Sequence, residues 1–221
     1  MKRMIFIDSA NVEDIAKWKN RLTCEGVTTN QKIFSTQKNI DFKETVISIC
    51  RLVNAPVSVE LTTHISATSM IQEAKRYALW NKNVVIKVPM TIDGIGLEVI
   101  KKLSKLKIST NATVMVSFEQ MLLATNAGAT YVSFFLNRSK DAGYDTLEII
   151  RRSRNFIDRG NYKSLIITGS IRYIRDVGDA FENGSDIVTI SPDILNLMLT
   201  ETKTQKTIEE FDIAWKKFQG K

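Results

Sequence analysis

Short apolar runs alternate with amphipathic stretches along the whole chain. The apolar runs are rich in β-branched residues and end in polar ones, which is typical of buried strands. The amphipathic stretches repeat apolar residues every three or four positions, which predicts helices that pack on one face. The predicted strands cover residues 5–7, 26–30, 56–61, 83–91, 107–114, 131–136, 164–168 and 186–190.

Helices are predicted in the intervals between these strands. Asn11 is a plausible N-cap for the first of them, and Asp93 and Pro192 each open another. The first helix is predicted at 12–20, and the others with predicted bounds cover residues 41–53, 66–80, 118–126, 144–158, 171–181 and about 207–218.

The alternation of strands and helices indicates a parallel sheet with crossover helices. Eight such units in 221 residues favour a closed (β/α)8 TIM barrel, an α/β fold, over an open doubly wound sheet. A Rossmann sheet would carry G-x-G-x-x-G after its first strand, but residues 8–12 contain no glycine. We therefore expect one barrel domain, 1–221, with an additional C-terminal helix at about 207–218.

One of the predicted strands contains a lysine. Residues 83–91 read Asn-Val-Val-Ile-Lys-Val-Pro-Met-Thr, which places Lys87 inside an apolar run. A buried ammonium group is costly unless it is paired or loses its proton, and the neutral amine is the nucleophile that forms a Schiff base. Alternatively, Lys87 lies near a strand end and its amine reaches water.

Composition limits the classes of partner. The chain is 43% hydrophobic and 25% charged, as in soluble globular proteins, and its apolar runs are too short to span a bilayer. The start of the chain carries no signal-peptide pattern, so we expect a cytoplasmic protein with no membrane partner. The net charge of +7 is consistent with nucleic acid or with anionic metabolites. The one dense basic cluster, 151–154, has a helical pattern typical of a solvated face, which makes nucleic acid the weaker alternative.

The scarce histidine and cysteine residues restrict the chemistry. His64 is the single histidine, and Cys24 and Cys50 have no metal-binding spacing. We therefore expect no metal and no cofactor. Catalysis, if present, should depend on lysine and carboxylates.

Polar side chains close most of the predicted strands. In a TIM barrel the active site lies at these carboxyl ends. A Schiff base between Lys87 and a ketose would allow a carbon–carbon bond of the sugar to break. Asp8 and Glu60 are candidates for the carboxylate that takes the proton from the hydroxyl beyond that bond. The other strand-end candidates, several of which could bind sugar hydroxyls, are Asn30, Lys87, Asn111, Thr113, Ser133, Ser170 and Ser191.

Two arginines follow late strands and are candidates for phosphate binding. Arg138 follows the sixth strand and Arg172 the seventh. Phosphate sites in this fold often use the last strands and a helix N-terminus, which favours Arg172 together with Ser170. The alternative for each arginine is a surface salt bridge.

These motifs, taken in order, resemble those of the small transaldolases and fructose-6-phosphate aldolases along nearly the whole chain. The segment 7–11 is similar to the family's opening L-D-T-A strand, and 26–30 reads Gly-Val-Thr-Thr-Asn, its G-V-T-T-N motif. The further matching segments are 57–60, 85–91, 110–113, 131–138 and 169–172.

The resemblance implies a role for each candidate. Lys87 would form the Schiff base, and Asp8 would be the general acid/base. Glu60 and Thr113 would hold a catalytic water molecule. The remaining roles implied are binding of the dihydroxyacetone unit by Asn30, Asn111 and Ser133, and of phosphate by Arg138, Ser170 and Arg172.

Two positions bear on the type of reaction. Transaldolases have glutamate at the position of Glu60 and phenylalanine at that of Phe135, where the aldolases tend to have glutamine and tyrosine. Bond cleavage would leave an enamine on Lys87. Phe135 near the substrate cannot donate a proton to it, so the enamine should persist until an acceptor aldehyde binds. The resemblance thus favours transaldolase, in the pentose phosphate pathway, over an aldolase that releases free dihydroxyacetone. A non-catalytic sugar-phosphate-binding barrel is a further alternative.

Three residues depart from the family pattern. Gln31 stands where the family has proline after Asn30, and its presence should free the loop that presents Asn30. Phe134 replaces the proline of S-P-F, and its ring should reshape the mouth near Ser133. Gly169 replaces an alanine.

The last predicted helix has an apolar face. Its apolar residues are Ile208, Phe211, Trp215 and Phe218. This face either covers the chain's own barrel or, as the resemblance implies, packs on a neighbouring subunit of a homo-oligomer, a pentamer or a decamer.

Overall fold

Eight parallel strands close into a barrel in the computed structural model, which describes residues 3–38 and 40–220. Each strand pairs with its neighbours in chain order, and β1 pairs with β8 to complete the ring. The strands are β1 (Met4–Asp8), β2 (Val27–Thr28), β3 (Val57–Glu60), β4 (Val84–Pro89), β5 (Thr110–Met115), β6 (Tyr131–Phe135), β7 (Leu165–Gly169) and β8 (Ile187–Ile190).

The helices lie between the strands and continue after β8. They are α1 (Val12–Lys19), α2 (Gln31–Ser35), α3 (Phe42–Val53), α4 (Ala67–Ala78), α5 (Ile95–Lys105), α6 (Phe118–Asn126), α7 (Leu136–Asp141), α8 (Thr146–Arg159), α9 (Ile174–Glu182), α10 (Pro192–Leu199) and α11 (Thr202–Phe218). The predicted (β/α)8 barrel with an additional C-terminal helix is therefore confirmed. That the whole of 1–221 is one domain stays a prediction, and Met1, Lys2, Asn39 and Lys221 lie outside the described residues.

The apolar pattern of the sequence explains the packing of the layers. Every residue of β4 is buried, as expected for a strand covered on both faces. The buried faces of α3 and α4 follow helical spacing, with Ile49 and Val53 on the first and Met70 and Ala74 on the second. The predicted N-cap at Asn11 is also confirmed, because the Asn11 side chain accepts a hydrogen bond from the backbone N–H of Asp14.

Several predicted limits were wrong for local reasons. The strand predicted at 26–30 contains only Val27–Thr28, because the chain turns at Asn30 to begin α2. The strand predicted at 107–114 begins at Thr110, since Lys107 has a left-handed backbone with φ of 58°. The last helix begins at Thr202 rather than near 207.

The last helix, α11, leaves its apolar face uncovered. Within the described residues, Phe211 is 69% exposed and Trp215 is 59% exposed. The interpretation that this face covers the chain's own barrel is therefore wrong. Among the helices in residues 3–38 and 40–220, none combines the length and apolar character needed to cross a bilayer.

Candidate active site

Lys87 lies on β4 and lines a cavity of the barrel, with 4% of its surface exposed. Its Nζ atom donates a hydrogen bond to the carbonyl oxygen of Thr29 at 3.0 Å and lies 3.6 Å from the Glu60 carboxylate. The alternative that the amine reaches bulk water is therefore wrong. A buried amine with two acceptors and an adjoining cavity fits a nucleophile better than a surface charge.

Asp8 ends β1 and lines a cavity of about 130 Å³ together with Lys87. The hydroxyl of Thr28 donates to Asp8 Oδ1 at 2.6 Å and also bonds with the hydroxyl of Thr189 at 2.5 Å. Burial raises the pKa of Asp8, and the charge of Lys87 and the Thr28 hydrogen bond only partly oppose this. A carboxyl group whose pKa is raised in this way can both release and return a proton.

Glu60 reaches the same lysine from the neighbouring strand. Its backbone pairs in register with Lys87, because β3 and β4 are adjacent parallel strands. The next residue, Leu61, donates its backbone N–H to the Lys87 carbonyl oxygen at 3.0 Å. Glu60 also lines a second cavity of about 440 Å³, which has apolar walls that include Phe34 and Phe42.

A buried chain of hydroxyl and amide groups lies across the barrel interior. The Ser133 hydroxyl donates to Asn111 Oδ1 at 2.7 Å, and Asn111 Nδ2 donates to Ser58 Oγ at 3.1 Å. Ser133 lines the 130 Å³ cavity, whereas Asn111 is fully buried behind it. The geometry brings Ser133 to the cavity directly, while Asn111 orients Ser133.

Asn30 links the two cavities, since it lines both. Its side-chain oxygen accepts a hydrogen bond from the backbone N–H of Ile33 at 2.8 Å and so caps α2. The expectation that Gln31 frees this loop is wrong, because Gln31 begins α2 and its Nε2 donates to the Leu61 carbonyl oxygen at 2.7 Å.

Thr113 lies on β5, two residues after Asn111, and its hydroxyl is buried without a hydrogen-bond partner among the described residues. Side chains two residues apart on a strand face the same side. The next residue, Val114, has a φ of 64°, and the pairing of β5 with β6 is irregular there. An irregularity of this kind re-aims side chains next to active sites, and the unpaired hydroxyl of Thr113 is able to hold a water molecule.

The two predicted phosphate-binding arginines differ. Arg138 is exposed and lines the 130 Å³ cavity, with its guanidinium 5.3 Å from the ring centre of Phe135. Arg172 instead binds Asp141 through two hydrogen bonds of 3.0 and 2.6 Å. The sequence favoured Arg172, but its position corresponds to the salt-bridge alternative, because Asp141 at the end of α7 is within its reach.

The loop after β7 is held in place by a buried carboxylate. The backbone N–H groups of Arg172 and Tyr173 both donate to Asp176, which also accepts from the side chain of Asn137. These two donors are thus unavailable to a phosphate. Ser170 adopts a left-handed backbone with φ of 59° and lines the cavity next to Arg138.

The other two departures from the family pattern have small structural effects. Phe134 is fully buried in the hydrophobic core, because it alternates with the cavity-lining Ser133 and Phe135 on β6. The expectation that its ring reshapes the mouth is therefore wrong. Gly169 lines the cavity, and a Cβ there would lie 3.3 Å from the Thr189 methyl group.

Sequence reasoning missed several polar residues that support the site. Thr28 and Ser58 lie inside apolar strands, each on the same face as the site residue two positions further on. This two-residue spacing could have been used to predict them. The sequence gives no signal for the Thr29 carbonyl, because every residue has a backbone carbonyl. Ser191, by contrast, caps α10 through its side chain.

Comparison with known proteins agrees with the geometry. Residues 5–220 match the family model described as transaldolase/fructose-6-phosphate aldolase. A protein named probable transaldolase 1, from Bacillus cereus, is 38% identical over 216 residues, which cover 98% of this chain and 99% of that protein. A probable transaldolase from Streptococcus agalactiae has the same identity and coverage. A probable transaldolase from Carboxydothermus hydrogenoformans is 36% identical over 211 residues, which cover 96% of this chain and 97% of that protein.

Proposed function

Since the chain belongs to the transaldolase/fructose-6-phosphate aldolase family, we propose that it is a transaldolase of the Schiff-base type. It would transfer a dihydroxyacetone unit from sedoheptulose 7-phosphate or fructose 6-phosphate to glyceraldehyde 3-phosphate or erythrose 4-phosphate, in the pentose phosphate pathway. The observation that carries the proposal is the buried amine of Lys87, held by Thr29 and Glu60 and sharing a cavity with Asp8.

The proposed reaction begins at Lys87. Its neutral amine adds to the ketone carbonyl, and loss of one water molecule gives an imine. A water molecule held by Glu60 and by the Thr113 hydroxyl, which has no hydrogen-bond partner among the described residues, would protonate the carbinolamine oxygen, so that it leaves as water and the imine formed is protonated. Asp8 then takes the proton of the hydroxyl next to the bond that breaks. The bonding electrons pass to the protonated imine and form a neutral enamine, and the first aldose phosphate leaves as an aldehyde.

The second half of the reaction reverses these steps with a new aldehyde. The enamine attacks the acceptor carbonyl, and Asp8 returns its proton to the oxygen that forms. Hydrolysis of the imine frees the amine of Lys87 and the new ketose. Phe135 lines the cavity and has no proton to donate, which supports a long-lived enamine and therefore transfer rather than release of dihydroxyacetone.

The substrate's other groups have candidate partners around the same cavity. Ser133, oriented by Asn111, and Asn30 would bind hydroxyls of the dihydroxyacetone unit. Arg138 would bind the phosphate together with the hydroxyl of Ser170. The Arg138 guanidinium is exposed and lines the cavity, and it forms no ion pair with a carboxylate within residues 3–38 and 40–220. Such a guanidinium is suited to binding a phosphate.

We also propose that the protein works in the cytoplasm as a homo-oligomer, a pentamer or a decamer. The exposed residues of α11, among them Phe211 and Trp215, support assembly, because such an apolar face gains stability when a second subunit covers it. Sedimentation of the wild type and of Phe211→Ser tests this. A wild type that sediments as a monomer at micromolar concentration contradicts it.

Trapping of the imine tests the reaction itself. Borohydride added with fructose 6-phosphate should leave a mass adduct on the peptide that contains Lys87, and Lys87→Met should show no adduct and at least ~10³-fold less turnover. An adduct confined to another lysine, or none, contradicts the mechanism. Product formation with and without an acceptor aldehyde separates transferase from aldolase. A ligand-binding barrel without catalysis would instead show thermal stabilisation by sugar phosphate that survives Lys87→Ala.

A further inference from the structure

Three consecutive residues after β2 make contacts at or next to the lysine site. The carbonyl of Thr29 accepts the hydrogen bond from Lys87 Nζ, and Asn30 lines both cavities. Gln31 donates from its side-chain amide to the Leu61 carbonyl oxygen at 2.7 Å. Its Nε2 thus joins the segment after β2 to the segment after β3.

The partner of Gln31 is directly linked to the other acceptor of the lysine. Leu61 follows Glu60, and its own backbone N–H is bonded to the Lys87 carbonyl oxygen at 3.0 Å. The Gln31 hydrogen bond therefore connects the chain segment that supplies the Thr29 carbonyl with the one that supplies the Glu60 carboxylate. These are the two acceptors on either side of the Lys87 amine.

The segment after Glu60 is already rigid without Gln31. The backbone N–H groups of Thr62 and Thr63 donate to the buried carboxylate of Glu73, which also accepts from the hydroxyl of Tyr77 at 2.6 Å. The segment after β2 is held at the buried Thr29, whose backbone N–H and hydroxyl both donate to the Ser58 carbonyl oxygen, but the short helix α2 that follows buries none of its residues. The Gln31 hydrogen bond thus fastens the start of this weakly packed helix to a rigid segment.

We propose that Gln31 is a positioning residue for Lys87. Its side-chain amide fixes the Thr29 carbonyl and Asn30 relative to Glu60, so that the amine and the dihydroxyacetone unit meet in one geometry. The expected effect on turnover rests on the proposed function. The effect on the environment of Lys87 does not depend on it.

A matched pair of glutamine variants tests this role. Gln31→Leu removes the donor and keeps a side chain of similar size. Gln37→Leu makes the same change at another residue that lines the 440 Å³ cavity, where the amide contacts only the neighbouring Thr36 hydroxyl among the described residues. Gln31→Pro supplies rigidity by another route, because proline suits the first position of a helix and the residue before it, Asn30, is extended with φ of −158°.

Gln31→Leu should lower kcat by about tenfold, since small displacements of catalytic groups have effects of this size. The KM for the acceptor aldehyde should stay within about twofold, because Arg138 is on the other side of the cavity. The melting temperature should fall by no more than about 4 °C for the loss of one hydrogen bond. Gln31→Pro should recover kcat to within about threefold of the wild type, and Gln37→Leu should equal the wild type.

A second readout needs no sugar chemistry. Reductive methylation with formaldehyde and cyanoborohydride, followed by peptide mass spectrometry, measures the access of Lys87 relative to exposed lysines. Lys87 should react several-fold faster in Gln31→Leu than in the wild type or Gln37→Leu. Unchanged kcat and unchanged methylation in Gln31→Leu, or equal changes in both leucine variants, would overturn the proposal. A wild type that forms no ketose adduct overturns the proposed function instead, and the methylation ratios still decide the role of Gln31.

Discussion

The two sides of the barrel mouth are built differently. The lysine side, formed by Asp8, Thr29, Glu60 and Lys87, is held by hydrogen bonds and one ion pair that join neighbouring strand ends. The arginine side, formed by Arg138, Ser170 and Arg172, carries two exposed guanidinium groups, one of which binds Asp141 outside the cavity. The difference fits the proposed role of each side. Bond making on the lysine side needs atoms in fixed positions. Phosphate binding on the arginine side tolerates movement, because the three phosphate oxygens accept hydrogen bonds from many directions.

Asp8→Asn should have the largest effect of the substitutions on either side of the mouth, because it removes the proposed acid/base from the lysine side. We expect kcat to fall by about 10²- to 10³-fold with little change in the KM for phosphorylated substrates. Full activity of this variant would contradict the assignment of Asp8 as the acid/base.

The same variant makes a prediction about stability. Burial raises the pKa of Asp8, so the native protein disfavours the charged form. This group therefore costs nothing below the ordinary carboxyl pKa and destabilises the fold as the pH rises through its raised value. Asp8→Asn should melt at a higher temperature than the wild type at pH 7, and the two curves should meet below about pH 4. A lower melting temperature at pH 7 would contradict this.

Arg138→Ala and Arg172→Ala form a matched pair on the arginine side. Arg138→Ala should raise the KM for glyceraldehyde 3-phosphate by about tenfold and leave that for glyceraldehyde unchanged, since only the phosphate contact is lost. Arg172→Ala should change either value by less than about threefold, because Arg172 is engaged by Asp141. Equal effects of the two substitutions would mean that Arg172 turns into the cavity when substrate binds.

Glu73→Gln tests how firmly the lysine side is held. Although burial opposes ionisation, the hydrogen bonds from Thr62, Tyr77 and Thr63 hold the pKa of Glu73 below its ordinary value. The stabilisation is therefore present above about pH 4.5 and is lost as the pH falls through the lowered pKa. At pH 7 the variant should lose about 1–2 kcal/mol of unfolding free energy in urea, and the difference should vanish in acid. A constant difference at all pH values would contradict this origin.

Asp141→Ala should have the smallest effect. It frees Arg172, so the KM for a phosphorylated acceptor should fall by about twofold, while an exposed ion pair contributes less than about 1 kcal/mol to stability. Glyceraldehyde, which has no phosphate, serves as the control substrate. A raised KM would show instead that Asp141 helps to present the substrate.

The fold was predictable because each strand and each long helix has its own periodicity, and eight alternating units leave few architectures. The short helices α2 and α7 were missed, since five and six residues are too few to show a helical period. The burial of Phe134 was predictable in principle, because it alternates with Ser133 on a strand.

The proximity of Lys87 and Glu60 was predictable, because both side chains stand near the carboxyl ends of adjacent strands. The site was not predictable where a partner is distant in the chain. Asp141 engages Arg172 from 31 residues away, and Gln31 reaches Leu61 from 30 residues away. Such contacts depend on how elements pack, which spacing along the chain does not reveal.

The acceptor closest to the Lys87 amine is the main-chain oxygen of Thr29, 3.0 Å away. An alanine scan would leave this contact in place at every position, and would assign all of the lysine's environment to Glu60 and Asp8. A substitution at residue 29 would keep this carbonyl, although it would remove the hydrogen bond from the buried Thr29 hydroxyl to the Ser58 carbonyl oxygen. Only chemical replacement of the amide after Thr29, for instance by an ester that weakens its carbonyl as an acceptor, would change that anchor without changing a side chain.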